Sequence, residues 1–299
     1  MIDIHCHLLN EVDDGSESIE QSLEALRLAE EAGFTDIILT PHYIKGYYDN
    51  SIENTKEKIK NLKQEVFKNN ILINIHHGNE IYICDDLCEL LLANVPATLA
   101  NSKYVLFELP LNNKLFNVME IVVKLKEKGY IPVLAHPERY SYVQEDPNQV
   151  MEFIRAGVFI QSNYGSIVGR YGKEAKETLG KLLKHNMVHI LASDTHKKGF
   201  IYENIQDILK ELGKYTSKQA IKRLTKINPN CIIQDEEFQI EVPTRIEERK
   251  KFFWLYFYCT HLVVVIKDHN ICSNSSRFRT VLLIPSPERI SSTRSLLAF

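Results

Sequence analysis

Residues 1–15 read MIDIHCHLLNEVDDG, an apolar β-type segment that carries two histidines and is followed by an acidic turn. Residues two apart in a β-strand project to the same face, so His5 and His7 can bind one ion while Cys6 points the other way and packs. Asp13 and Asp14 come soon after. The stretch therefore predicts a first strand whose carboxyl end supplies metal ligands.

Six more apolar, β-branched runs follow this strand and alternate with amphipathic segments. Such alternation is typical of βα units around a parallel sheet or barrel. The seven predicted strand runs span residues 1–5, 36–42, 71–83, 104–110, 130–138, 158–163 and 188–194. We predict an α/β fold, a distorted (β/α)7 TIM-like barrel that is irregular because it has fewer strands than a regular TIM barrel.

The segments between these runs show helical periodicity. Ile19, Leu23 and Leu26 recur at spacings of three and four residues, and Gly33 is a typical helix stop. The predicted helices span residues 18–32, 52–68, 115–128, 150–156 and 173–186.

Polar residues interrupt the apolar pattern at or just beyond the carboxyl ends of the predicted strands. They are His5, His7, His42, Glu80, Glu108, His136, Glu138, Asn163, Asp194 and His196. In parallel β/α barrels the catalytic groups converge at this rim. A ligand set of imidazoles and carboxylates without thiolates suits Mn²⁺, Fe or Zn²⁺. The pattern predicts a multinuclear metal site there.

The composition limits the classes of protein to consider. With 299 residues, 44% of them hydrophobic, the chain can bury a large core. A net charge of -3 with interleaved signs gives no basic field of the kind that binds nucleic acid. The first residues lack the basic stretch and long apolar core of a secretory signal, so we expect a cytoplasmic protein. Six cysteines without paired CxxC spacing are predicted to be free thiols.

The character of the chain changes after residue 235. Residues 236–251 read EEFQIEVPTRIEERKK, a predicted polar linker between a barrel domain, residues 1–235, and an atypical tail, residues 252–299. The apolar run 252–266 falls short of the roughly 20 residues that a transmembrane helix needs, so a membrane span is disfavoured. Residues 273–299 are rich in Ser and Arg and are predicted to be loosely ordered.

The motifs at the strand ends, taken in order, carry a family resemblance. They read MIDIHCH, VDDG, TPH, GNE, FELP, AHPERY and SDTH. This set resembles the polymerase and histidinol phosphatase (PHP) superfamily of metallophosphoesterases. It is most similar to the bacterial tyrosine-protein phosphatases encoded with capsule and exopolysaccharide synthesis systems. The resemblance covers residues 1–234.

This resemblance implies three metal ions, usually Mn²⁺, at the mouth of the barrel. The ligand sets that it implies are His5, His7, Glu108 and Asp194 for one ion, Glu80 and His136 with Glu108 as a bridge for a second, and Asp14, His42 and His196 for the third. It also implies that Arg139 contacts the phosphate as part of the catalytic site.

The activity implied by the resemblance is hydrolysis of phosphotyrosine by a metal-activated hydroxide. Adjacent cations acidify a bound water, and a phenolate with a pKa near 10 leaves with little help from a general acid. The implied partner is a phosphotyrosine protein, the tyrosine-rich tail of a membrane-associated kinase of polysaccharide synthesis. Membrane contact is expected only through that partner or the tail at residues 252–299, and nucleic acid is not an expected partner.

Three alternatives compete with this interpretation. A small-molecule phosphatase of the same superfamily, acting on histidinol phosphate or a nucleotide, should enclose its substrate with long loops, whereas the βα loops here are short. A cysteine-based phosphatase needs an arginine at a fixed spacing, and the nearest pair, Cys272 and Arg277, is one residue too close. A non-catalytic scaffold or nucleic-acid binder is disfavoured by the complete ligand set and the lack of a basic stripe.

Aromatic residues accompany two of the predicted strand ends. Tyr43, Tyr47, Tyr48, Tyr140 and Tyr142 are expected either to pack against an aromatic phosphoester or to serve ordinary loop packing. The histidines that we predict not to be ligands are His76, His77, His185 and His189.

Overall fold

A computed structural model describes residues 1–197 and 199–247, together with the backbone of three later strands. The chain divides into two compact units, Met1–Ile246 and Glu247–Phe299. The predicted free thiols Cys259 and Cys272 lie outside the described residues. The other four cysteines are free, and Cys6 is buried with its thiol 3.6 Å from the carbonyl oxygen of Ile38, as a packing residue.

The described part of the first unit contains nine strands, and every pairing between them is parallel. They are β1 (Ile2–Cys6), β2 (Asp36–Leu39), β3 (His42–Tyr43), β4 (Asn74–His77), β5 (Glu80–Tyr82), β6 (Tyr104–Glu108), β7 (Ile131–Leu134), β8 (Phe159–Asn163) and β9 (Ile190–Ala192). They form a sheet of order β1-β2-β4 and a sheet of order β3-β5-β6-β7-β8-β9. The predicted α/β class with parallel strands is confirmed.

Two of the seven predicted strand runs are each divided in two, which corrects the predicted strand count. The run 36–42 becomes β2 and β3, because Pro41 has no N–H to donate to a ladder. The run 71–83 becomes β4 and β5, with a break at Gly78. At this break Gly78 N donates to Leu39 O and Glu80 N donates to Pro41 O, so the two sheets follow one another without a gap in pairing.

All five predicted helices are present, with ends that differ by a few residues at most. The side chains of Ser18 and Ser51 cap the first two by accepting from backbone N–H groups, and Gly33 follows the first helix with a φ of 85°. The α-helices are α1 (Ile19–Glu31), α2 (Ile52–Lys68), α3 (Leu87–Leu92), α4 (Val118–Glu127), α5 (Ser141–Glu145), α6 (Val150–Arg155), α7 (Tyr164–Ile167), α8 (Lys173–Lys184), α9 (Phe200–Glu203), α10 (Ile205–Leu212), α11 (Lys218–Lys222) and α12 (Asn228–Ile233). Short 3₁₀ turns cover Leu99–Asn101, Pro137–Arg139 and Pro147–Gln149, and a π-helical turn covers Arg223–Ile227.

The carboxyl ends of the first and last strands of this unit are joined. Asp194 N donates to His5 O at 2.9 Å, and His7 N donates to Thr195 O at 2.8 Å. The buried carboxylate of Asp3 supports the junction by accepting from Ser193 N at 3.0 Å. Polar side chains that follow the first and the last of these parallel strands are thereby placed side by side.

Residues 236–246 of the predicted linker belong to the first unit and pack on its earlier residues. The ring of Phe238 stacks on that of Tyr104, with centroids 6.1 Å apart, and Thr244 N donates to His185 O at 3.0 Å. Residues 248–251 of the segment lie outside the described residues.

The second unit contains an antiparallel sheet of order β10-β11-β12, built from Phe252–Tyr258, His261–Asp268 and Arg277–Leu283. The apolar run 252–266 is thus divided between two strands, and one strand lies in the segment 273–299 that the sequence predicts to be loosely ordered. Residues 273–276 and 284–299 lie outside the described residues. In the part of the chain that the structure describes, no helix is long and apolar enough to cross a membrane.

Candidate metal centre

The structure brings all nine predicted ligands together at the carboxyl ends of the parallel strands. Three groups of side chains present donor atoms within 4.8 Å of one another. The groups are His5, His7, Glu80 and Asp194; His42, Glu80 and Glu108; and His7, Asp14, His42 and His196. His136 joins the cluster through a 2.8 Å contact between its Nε2 and Glu80 Oε1.

The first group is wholly buried. His5 Nε2 and His7 Nε2 lie 3.2 Å apart, and Glu80 Oε2 lies 3.1 Å from the former and 3.2 Å from the latter. Asp194 Oδ1 is 3.5 Å from each nitrogen. His5 lies in β1 and His7 directly follows its last residue, and both imidazoles enter the same cluster, as the two-residue spacing predicts.

Glu80 lies at the centre of the cluster, where the resemblance had placed Glu108. Its Oε2 atom also lies 3.1 Å from His42 Nδ1, so one oxygen faces three imidazoles. Glu108 instead lies farther out, with Oε1 3.3 Å from His42 Nδ1 and Oε2 3.9 Å from His136 Nε2. Of the two carboxylates, that of Glu80 therefore lies closer to the imidazoles of β1 and β3, whereas the resemblance implies this place for Glu108.

The third group is the most exposed. Asp14 Oδ1 lies 3.4 Å from His196 Nε2 and 3.7 Å from His42 Nε2, and the rings of His7 and His196 stack with centroids 4.1 Å apart. The hydrogen bond from His196, against a smaller opposing effect of burial, lowers the pKa of Asp14 to about 2. The carboxylate is thus ionised at neutral pH and ready to bind a cation.

Two of the ligand positions have a strained backbone. His136 has a φ of 33° and Asp194 a φ of 50°, both in the left-handed region that non-glycine residues rarely adopt. Such a conformation costs on the order of 1–3 kcal/mol and persists only where the surrounding structure enforces it. The strain is local to residues whose side chains enter the cluster.

The arrangement fits metal ions better than it fits hydrogen bonds. Donors bound to one ion at about 2.1 Å lie roughly 3.0 to 3.4 Å from each other, close to the separations in the first group. Among the described residues, the buried atoms Glu80 Oε2 and His42 Nδ1 make no hydrogen bond of acceptable geometry. A cation bound by these two atoms would satisfy both of them, so the pair fits a metal site.

The electrostatics of the cluster also favour cations. Burial alone would lower the pKa of His5, but the carboxylates of Glu80 and Asp194 raise it to about 9. Burial would raise the pKa of Glu80, yet the surrounding imidazoles hold it well below its usual value. Against the effect of burial, the carboxylates likewise raise the pKa of His7 and His42. A carboxylate-rich environment of this kind favours positive charge, which metal ions would supply on displacing protons from the ligands.

Several residues that the sequence did not single out as ligands hold the ligands in place. His5 Nδ1 lies 3.0 Å from Gln161 Oε1, and His7 Nδ1 lies 2.9 Å from Asp13 Oδ2. Such partners fix the ring orientation and the tautomer of a ligating histidine. A Cβ atom at Gly15 would lie 2.0 Å from the His7 carbonyl oxygen, so only glycine allows the acidic turn to approach His7.

Arg139 lies beside the cluster, as the resemblance implies. Its Nη1 donates to Asp194 Oδ2 at 2.8 Å, and the same oxygen accepts from Asn163 Nδ2 at 2.6 Å. The adjacent Glu138 is not at the rim but buried, with Oε1 accepting from Asn163 N at 2.8 Å. Asp194 thus presents one oxygen to the histidines and the other to Arg139.

A cleft of about 590 Å³ opens above the cluster, and two of the five tyrosines expected near the substrate line it. Tyr47 is 74% exposed, and the ring of Tyr48 stacks on that of His42 with an interplanar angle of 8°. Tyr82, at the end of β5, also lines the cleft.

The other three tyrosines follow the second of the two expectations, ordinary packing. Tyr43, Tyr140 and Tyr142 are buried in the core, because their elements turn them inward. The hydroxyl of Tyr140, for example, donates to Ala135 O at 2.7 Å.

The histidines predicted not to be ligands form other contacts. His76 Nε2 lies 3.0 Å from Asp36 Oδ1, His77 Nε2 lies 3.3 Å from Thr55 Oγ1, and His185 Nδ1 lies 3.0 Å from Thr244 Oγ1. His189 is buried, and its Nδ1 accepts from Ile160 N at 2.9 Å.

Comparison with known proteins agrees with this geometry. The model of the CpsB/CapC capsular polysaccharide synthesis family matches residues 1–234. The chain is 31% identical to the tyrosine-protein phosphatase YwqE of Bacillus subtilis over 84% of this chain and 99% of that protein. It is 30% identical to the tyrosine-protein phosphatase CpsB of Streptococcus pneumoniae over 79% of this chain and 99% of that protein.

A solved structure from work on YwqE and CpsB, described as metal-dependent tyrosine phosphatases, is similar to this chain. It superposes with a TM-score of 0.75 at 28% identity, over 83% of this chain and all of that one. The family model covers most of the chain, and the relatives match along nearly their whole length. The chain belongs to the CpsB/CapC family of capsular polysaccharide synthesis proteins.

Proposed function

We propose that this chain is a metal-dependent protein-tyrosine phosphatase that acts in capsular or exopolysaccharide synthesis. The observation that carries the proposal is the oxygen of Glu80 that faces three imidazoles, buried and without a hydrogen bond, in a cluster that also contains the guanidinium of Arg139. The relatives named as tyrosine phosphatases support it. A cation-binding cluster beside an arginine suits a phosphoryl group.

We propose that the cluster holds three ions, with Mn²⁺ as the metal and Fe or Zn²⁺ as alternatives. The proposed ligand sets are His5, His7, Glu80 and Asp194 for the first ion, Glu80, Glu108 and His136 for the second, and Asp14, His42 and His196 for the third. When bound, such ions supply positive charge and an acidified water.

The residues of the chain bind and orient the substrate. Arg139 offers N–H donors to the phosphoryl oxygens, and its charge neutralises theirs. Tyr48 and Tyr82 provide aromatic surface in the cleft on which the phenol ring of the substrate packs. A phenolate leaves readily, so the site needs no strong general acid opposite the ions.

We further infer that the two parallel sheets together form a distorted seven-unit barrel, closed by the bonds between His5 and Asp194 and between His7 and Thr195. The substrate that fits an open cleft is a flexible phosphotyrosine tail, and we propose that it belongs to a kinase of polysaccharide synthesis. The site of action would be the cytoplasm.

Substrate preference tests the assignment. The values of kcat/KM are compared for a phosphotyrosine peptide, a phosphoserine peptide and histidinol phosphate at saturating Mn²⁺. We expect the phosphotyrosine peptide to be hydrolysed most efficiently, because its ring packs in the cleft and its phenolate leaves easily. A clear preference for histidinol phosphate would overturn the assignment as a protein phosphatase and favour a small-molecule enzyme.

A further inference from the structure

The side chain of Arg139 is held from two directions. Its Nη1 donates to Asp194 Oδ2 at 2.8 Å, and its Cζ lies 4.5 Å from the centroid of the Tyr171 ring. A guanidinium at this distance from an aromatic face is attracted by the ring. The two contacts hold one end and one face of the guanidinium, so its other N–H groups stay available for an anion in the cleft.

Tyr171 reaches this position because the segment that carries it is anchored beside Arg139. Glu138 Oε1 accepts from Asn163 N at 2.8 Å and from Ser166 Oγ at 2.7 Å, which fixes α7, and the chain then turns back toward Arg139. The carboxylate of Glu138 therefore helps to place both Arg139, its neighbour in the sequence, and the segment that carries Tyr171.

The packing behind the Tyr171 ring is close as well. A Cβ atom at Gly165 would lie 3.1 Å from Tyr171 Cε2, a separation tighter than most Cβ contacts. The hydroxyl of Tyr171 lies 3.4 Å from Asp194 Oδ2 and adds little to the contact, because that oxygen already has two closer donors. The ring, more than the hydroxyl, meets Arg139.

We propose that Tyr171 is a positioning residue for phosphoryl recognition, which acts by holding the guanidinium of Arg139 toward the cleft. The inference rests on the proposed function. An arginine that is free to rotate loses conformational entropy when it binds phosphate, whereas one that is already ordered loses less. Removal of the ring should therefore weaken binding of the phosphoryl group without removing a metal ligand.

Two substitutions at Tyr171 separate the ring from the hydroxyl. Tyr171→Leu removes the aromatic face and keeps apolar volume, whereas Tyr171→Phe keeps the face. We expect Tyr171→Leu to raise both KM for p-nitrophenyl phosphate and Kd for inorganic phosphate by about three- to thirtyfold, with a smaller change in kcat. Tyr171→Phe should keep both constants at their wild-type values. Metal content by mass spectrometry should be equal in the wild type and the two variants.

A matched control is Tyr215→Leu, because Tyr215 makes a similar contact with Lys184 on α8, at 5.2 Å. This variant should keep the KM and Kd of the wild type. Unchanged constants in Tyr171→Leu, an equal loss in Tyr171→Phe or a loss of metal would each overturn the proposal. Phosphate binding by titration calorimetry needs no turnover, so a wild-type chain that binds phosphate but hydrolyses no phosphotyrosine refutes the proposed function alone. A wild-type chain that binds no phosphate overturns both.

Discussion

Oε1 of Glu80 lies 2.8 Å from Nε2 of His136, and both side chains are buried. The two residues come from β5 and from the turn after β7, on either side of β6. Because the second oxygen of Glu80 faces the histidines of β1 and β3, one carboxylate contacts side chains from both sheets. Glu80 is therefore the residue on which the geometry of the cluster depends most.

This central position predicts unequal effects of two carboxylate substitutions. We expect Glu80→Gln to lower kcat/KM by more than the roughly 10- to 100-fold typical of residues that only support ligands, and to reduce bound metal by more than one ion. Glu108→Gln should cost less activity and one ion at most. The prediction is tested by measuring the metal content and kcat/KM of both variants. Equal losses of activity and metal in the two variants would contradict the central role of Glu80.

The sequence could predict which residues come together in the cluster but not which carboxylate lies at its centre. Both residues lie in predicted apolar runs, but in the structure Glu80 is the first residue of β5 and Glu108 is the last residue of β6. Glu80 pairs with Leu106, and Tyr82 pairs with Glu108, so Glu108 lies two residues nearer the mouth. Two residues of strand span about 6.6 Å, and the side chain of Glu108 is 13% exposed against 1% for Glu80.

Local patterns predicted the helices and the paired histidines well, because both depend on short-range periodicity. The roles of the tyrosines depend on tertiary packing. Tyr140 and Tyr142 follow a strand end, just as the cleft residue Tyr48 does, yet the turn that begins at Pro137 directs them into the core. The break of the strand run at Pro41 has a local cause, since proline has no N–H to donate. The order of the strands in the sheets depends instead on pairing between distant segments.

A second prediction concerns Asp13, whose Oδ2 lies 2.9 Å from His7 Nδ1 and accepts from His42 N. We expect Asp13→Asn to lower metal affinity by about 10- to 100-fold, because His7 loses the partner that orients its ring. Asp36→Asn is the matched control, since Asp36 makes the same type of contact with His76. Competition with a chelator gives the affinities. Similar affinities in both variants would show that Asp13 has no orienting role.

A third prediction concerns acid stability and His189. Burial lowers its pKa from 6.5 to about 3, so the unfolded chain takes up the proton first as the pH falls. The contribution of neutral His189 to the free energy of unfolding is therefore fully present above pH 6.5 and is lost as the pH falls toward 3. His189→Asn keeps an acceptor for Ile160 N but cannot titrate.

Urea unfolding at pH 7 and pH 5 measures the effect. Between these values the wild type should lose about 2 kcal/mol more of its free energy of unfolding than His189→Asn does. The histidines of the metal centre are common to both chains, so their contribution cancels. Parallel losses in the two proteins would contradict the lowered pKa of His189.

A fourth prediction concerns the second unit. The first unit ends at Ile246, whose backbone N donates to Asn148 Oδ1 at 2.8 Å. We expect a chain that ends after Lys251 to keep the melting temperature of the first unit and full kcat/KM on a phosphotyrosine peptide. Calorimetry and steady-state kinetics test this. A truncated chain that fails to fold would show that the later residues complete the core.

The most direct test of the central claim is activity on a phosphotyrosine peptide, followed as metal is removed and returned. The cluster of imidazoles and carboxylates predicts that dialysis against a chelator abolishes both bound metal and hydrolysis. Addition of Mn²⁺ should then restore activity more fully than Mg²⁺, which prefers oxygen ligands. Full hydrolysis by a chain shown to contain no metal would contradict the account.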